Sequence, residues 1–264
     1  MNRIARIITA SLSVRPSRSQ VRPIATAVRQ VVLKAGLVLC IAAASAQDKA
    51  PAPPYQIAGS NHVIVGVAWD EAAVRKALPP GIKPVAGAAG AINIYTASRG
   101  YGIAPYSSVY FWVDVEGFDS PDGTKGRWML VGAYGPNDVT SQVLRDMSFF
   151  PVRNGTSRAE ATADGKRAIG TVNGQDVVVA EIKSSTDPCD TVSGLLNYPV
   201  INNSKQIMVN IIPYVGDACK AEPVSVSVTA PAGDPFAAFN PVKVLWAAEF
   251  KNAAFSFHRP VAAK

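Results

Sequence analysis

The sequence predicts one mostly β domain, closed into a barrel or folded as a two-sheet sandwich. Three observations carry this. Segments rich in β-branched and aromatic residues recur from His62 onward. Turn signals separate them roughly every 8–15 residues. Only two stretches carry a helical period, and both are short.

In chain order, "HVIVGVAW" (His62 to Trp69) is β-branched and apolar, a buried strand. Asp70 is placed to N-cap a short helix over "EAAVRKAL", which Pro79, Pro80 and Gly81 end. "GAINIYTAS" is a second strand. "SSVYFWVDVEG" and "RWMLVGAYG" form a hairpin around the Asp122-Gly123 turn of "DSPDGTKG". That loop lacks the alternating acidic ligands and terminal Glu of an EF-hand, so it reads as a turn and not as a calcium site. "VTSQVLRDM" (Val139 to Met147) is helical, with apolar residues at positions 139, 143, 144 and 147 and Pro151 to stop it. Asp164-Gly165 and Asn173-Gly174 mark two tight reversals in a meander with strands near Ala159, Ala168 and Val178. "KQIMVNIIPYVG" and "EPVSVSVTAP" are further strands and "DPFAAF" a helical turn. "PVKVLWAAEFKNAAFSFHRP" closes the domain in a mixed, partly alternating strand pattern. No fixed-period repeat appears.

The formal charge of +7 suggests an anionic partner until it is located. Seven of the 26 basic residues lie in positions 1–46, which hold no acid; the rest of the chain has 19 basic residues against 19 acidic ones. The excess reports a leader, not a binding surface, and no nucleic-acid partner is expected. Arg29 and Lys34, the apolar run "AGLVLCIAAA" and "ASA" before Gln47 are the parts of a secretory signal cleaved near Ala46. Residues 1–28 are long for its basic region and also resemble a transit peptide. The apolar run is too short to span a bilayer as a helix, so no membrane span is expected in the mature chain. The expected organisation is a leader over 1–46, a Pro/Ala-rich tether over 47–58 and the β domain over 59–264, in the periplasm or outside the cell.

With Cys40 in the leader, the mature chain keeps Cys189 and Cys219, an even pair in a chain sent to an oxidising compartment. A disulfide is the expectation and two buried thiols the alternative. Neither cysteine sits in a CxxC pair, and His62 and His258 are far apart, so no metal site is expected. There is no GxGxxG, no GxxxxGK[ST] and no GxSxG.

The order of segments is familiar. "VIVGVAWDEAAVRKALPPGIKPV" resembles the start of the acetoacetate decarboxylase family. "GYGIAPYSS" (Gly100 to Ser108) stands where that family has Gly-x-Gly-x-Tyr-x-Glu. "RDMSFFPVRNG" (Arg145 to Gly155) resembles its Gly-Arg-Glu-x-x-x-x-Pro-Lys-Lys. "IMVNIIPYVGDAC" and "NPVKVLWAAEF" resemble two later segments. The resemblance spans roughly residues 60–260 in one order. It implies a closed, cone-shaped β-barrel with a few short helices and a central cavity, and a tendency to form homo-oligomers; no cofactor is expected.

The family's chemistry needs a cavity lysine that forms a Schiff base with a ketone, its pKa lowered by a second lysine. Arg145, Asp146 and Pro151 match the frame of the motif, but the Schiff-base position is Val152 and its neighbour Arg153. The family's glutamates fall on Tyr106 and near Asn93, and its early arginine near Ser60. Valine has no nucleophile and arginine stays protonated. The expectation is therefore an exported, decarboxylase-like barrel without its lysine, binding a small carboxylate or keto acid. Arg145, Arg153, Tyr106, Asn93, Phe149 and Phe150 are its candidate ligand residues. Against them stand an ion pair that braces the barrel for Arg145, a solvated turn for Arg153, and core packing for the three aromatics. The alternative is a carboxy-lyase on keto acids with a relocated amine, Lys166, Lys183 or Lys205, or with Schiff-base-free chemistry. A purely structural role is a third reading.

Overall fold

The computed structural model describes residues 52–136 and 138–263. The expected leader, its cleavage site and Cys40 lie outside them.

Strand β1 (Tyr55–Trp69) starts earlier than the apolar run suggests. Tyr55, Gln56 and Ile57 already pair with Phe257, Ser256 and Phe255, so the last residues of the expected tether belong to the sheet. Helix α1 (Glu71–Ala77) follows, and Asp70 accepts the Ala73 N–H at 2.7 Å as the sequence predicts. Strands β2 (Ala89–Tyr101), β3 (Tyr106–Val115) and β4 (Gly126–Gly135) form an antiparallel run. Helix α2 (Asp138–Asp146) then carries the chain across to β5 (Val152–Ala161), which pairs with β4 in parallel. That parallel step needs a crossover, and the α2 segment supplies it. Strands β6 (Gly165–Val172) and β7 (Gln175–Ser184) complete the meander. Asn173 and Gly174 both have positive φ, at 51° and 76°, as a tight Asn-Gly hairpin requires.

Among the described residues, strand β8 (Asp190–Ile201) pairs only with β9 (Ile207–Val228). The two segments read as separate strands are one continuous β9 of 22 residues. Its first half pairs with β8 and its second half with β7. A 3-10 turn (Pro235–Ala238) and β10 (Pro241–Phe257) follow, with β11 (Val261–Ala262) at the edge. Because β10 pairs with both β9 and β1, the sheet closes into a ring, and β8 lies off it. The Cys189–Cys219 disulfide forms and ties the start of β8 to β9.

Alternation along the strands sends side chains to two apolar layers. Val63, Val65, Val67 and Trp69 of β1 join Phe111 and Phe236 in one. Tyr95, Tyr134, Leu144, Phe149, Val152 and Tyr198 belong to the other.

Candidate functional site

The second layer does not close on itself. It surrounds a cavity of about 240 Å3 walled by β1, β2, β3, β4, β8, β9 and β10. Most of the wall is apolar or aromatic, including Phe149 of the loop after α2, Phe250, Phe255 and Phe257 of β10, and the half-exposed Trp246. Trp246 lies over Gly66: a Cβ there would meet its indole at 2.1 Å. Among the described residues, no lysine lines this cavity.

Four polar residues of the wall, His62, Asn93, Tyr110 and Tyr198, are linked to one another and to Ser60; the wall also holds the buried Glu249 carboxylate. Ser60 Oγ, fully buried, donates to Ala253 O at 3.0 Å and lies 2.9 Å from His62 Nε2. His62 Nδ1 lies 3.1 Å from Asn93 Nδ2, which also donates to the Tyr110 hydroxyl at 3.1 Å. The Tyr110 and Tyr198 hydroxyls are 3.2 Å apart, and Tyr198 lies beside Arg127. The His62 ring stacks on Tyr95 at 4.5 Å. Burial pulls the His62 pKa down to about 4, so the ring is neutral at pH 7. Burial also holds the Tyr95, Tyr106, Tyr134 and Tyr198 phenols well above their usual range, so they remain donors.

Arg127 enters from β4, with its guanidinium 4.5 Å above the Trp112 ring. Burial opposes its charge, but Tyr198, Tyr110 and Asp114 outweigh that and raise its pKa further. Asp114 stands opposite it across β3 and β4, but Asp114 Oδ1 accepts from Trp112 Nε1. Among the described residues no carboxylate lies within 4.0 Å of Arg127, and its buried Nε has no hydrogen-bond partner. An arginine in that position can take two oxygens of an anion.

The sequence-predicted residues separate. Asn93 and Phe149 line the cavity. Tyr106 is buried one layer behind and bonds the Tyr95 hydroxyl at 2.8 Å. Val152 is 8% exposed and packs in the same cluster. Phe150 is 52% exposed. Arg145, in the last turn of α2, donates to Val152 O at 3.4 Å. Arg153 is paired with Asp234, which also caps the 3-10 turn at Phe236 N. Neither arginine lines the cavity. The candidate amines stay outside it too. Lys166 Nζ is 2.5 Å from Oε2 of the buried Glu249, which Ser184 Oγ also binds. Lys183 and Lys205 are exposed.

Sequence reasoning missed His62, Arg127, Tyr110 and Tyr198. A signal existed for one of them: Arg127 opens the apolar run "RWMLVGAYG", directly before a tryptophan.

No sequence-family model and no curated protein sequence matches the chain. Its fold, however, is that of acetoacetate decarboxylase. It is similar to the acetoacetate decarboxylase of Legionella pneumophila, with TM-score 0.64 and 14% identity over 81% of this chain and 88% of that one. It is similar to the enduracididine biosynthesis enzyme MppR complexed with pyruvate, with TM-score 0.62 and 15% identity over 84% and 93%. An acetoacetate decarboxylase-like enzyme from Sphingomonas wittichii gives TM-score 0.58 and 13% identity over 81% and 94%.

Proposed function

We propose that this acetoacetate decarboxylase-like barrel binds a small carboxylate or keto acid non-covalently in its cavity and does not form a Schiff base. The observation that carries the proposal is the wall itself: mainly aromatic, lysine-free and holding a guanidinium that no carboxylate pairs, while its own carboxylate, Glu249, is held by Lys166 and Ser184. Imine chemistry needs an amine in reach of the carbonyl. The position that the resemblance gives to that amine is Val152, packed among aromatics. The fold neighbour MppR was captured with pyruvate, which supports a keto-acid-sized ligand in such a barrel. An apolar cavity of about 150 Å3 already admits benzene, so this one has room for a larger guest. We further propose that the barrel works after export, and the Cys189–Cys219 bridge supports that compartment.

Titration calorimetry tests the binding. Pyruvate or phenylpyruvate gives saturable heat with the full chain, and Arg127→Met weakens it at least tenfold. Equal affinity in the variant would remove the guanidinium from the account.

A further inference from the structure

The hydrogen bonds from Ser60 to Tyr198 have a direction. Ala253 O can only accept, so Ser60 spends its one hydrogen there. His62 Nε2, 2.9 Å from Ser60 Oγ, must then be the donating nitrogen of the neutral ring. His62 Nδ1 is left as an acceptor; of the two Asn93 side-chain atoms beside it, Oδ1 at 3.2 Å has no hydrogen to give, so Nδ2 at 3.1 Å is the donor. The other Asn93 amide hydrogen goes to the Tyr110 oxygen. Because Asn93 presents a hydrogen there, neither phenol can pass its own back along the chain. One O–H of the Tyr110–Tyr198 pair is therefore left over for the cavity. With an anion on Arg127, that hydrogen belongs to Tyr198, which adjoins the guanidinium.

We propose that Arg127 and Tyr198 form a two-donor carboxylate subsite whose polarity is set from His62 through Asn93 and Tyr110, so that the cavity takes a monocarboxylate carrying a ring-sized apolar body. This rests on the non-covalent binding proposed above and names the ligand class. The rest of the wall is mainly aromatic, includes the Glu249 carboxylate and offers no second cation to a second carboxylate, since Lys166, on the far side of Glu249, does not line it. A buried unpaired charge is costly, so dicarboxylates are rejected. A primary amide carries no charge for Arg127 and turns an N–H toward it, so it is rejected as well. Asn93 acts as a positioning residue, since its amide fixes which way the phenols point.

The test uses the full chain, calorimetry at pH 7.5, and three probes: phenylacetate, phenylacetamide and phenylsuccinate. Phenylacetate binds at least tenfold more tightly than the other two. Tyr198→Phe, a change that keeps the ring, weakens phenylacetate about ten- to a hundredfold and leaves phenylacetamide unchanged. Asn93→Asp accepts from both sides, draws the phenol hydrogens away from the cavity and weakens phenylacetate similarly. In that variant 15N NMR shows His62 Nδ1 protonated, a change that a purely structural role would not produce. Melting curves confirm that both variants fold. Wild-type affinity for phenylacetate in Tyr198→Phe and Asn93→Asp, with loss only in Arg127→Met, would overturn the relay and leave the binding proposal intact. Equal affinity for phenylsuccinate would overturn the ligand class. A wild-type chain that binds no carboxylate at all would overturn both readings.

Discussion

His62 makes the barrel acid-sensitive, and the size of the effect follows from its environment. The ring is buried, stacked on Tyr95 and hydrogen-bonded at both nitrogens, and its pKa lies near 4 against an ordinary 6.5. The unfolded chain therefore binds a proton at this residue between those values, and the native chain does not. Stability from this group is complete above pH 6.5 and is lost as pH falls toward 4. At about 1.4 kcal/mol per unit, lowering the pH from 7.5 to 4.5 removes about 2.5 kcal/mol. Urea denaturation at half-unit steps across that window measures the loss. The carboxyls of Asp122, Asp176, Asp217 and Glu249 lie below their ordinary range, and their contributions also fall with acid. Those groups are common to the wild type and to His62→Gln, so the difference between the two slopes isolates the imidazole. The wild type loses about 2.5 kcal/mol more than the variant over this window. Parallel profiles would show that the ring protonates in place, and the burial argument would fail.

Reducing the Cys189–Cys219 bridge, which spans 30 positions, lowers stability by about 3.5 kcal/mol in the chain-entropy model, read from urea midpoints with and without a phosphine reductant. Asp234→Ala removes the partner of Arg153 and the cap on Phe236 N–H; it costs about 1–3 kcal/mol by the same assay and leaves carboxylate affinity unchanged. Gly66→Ala drives a methyl into the Trp246 indole, which is 45% exposed and swings outward, so tryptophan emission shifts to the red with a small change in melting temperature.

Most of the fold was legible because its signals are local. Asp70 caps where a capping residue precedes a short apolar period, and Asn173-Gly174 reverses the chain where positive φ is cheap. The disulfide was legible from the even pair of cysteines that remains once Cys40 is set aside. The cavity was less so, because its polar groups come from strands far apart in the sequence, and only closure of the ring brings them together. His62 reads as one residue of an apolar strand until Asn93, 31 positions later, is placed beside it. Arg145 and Arg153 attracted attention because they flank a motif, yet α2 and the Asp234 pair turn both away from the cavity. The motif does reach the cavity: Phe149 lines it and Val152 packs in the cluster around it.

The central claim is that ligands sit in this barrel without a covalent bond to it. The most direct test treats the full chain with pyruvate or acetoacetate and sodium borohydride and then measures its intact mass. The account predicts an unchanged mass and no release of carbon dioxide. A stable adduct on any lysine would contradict it.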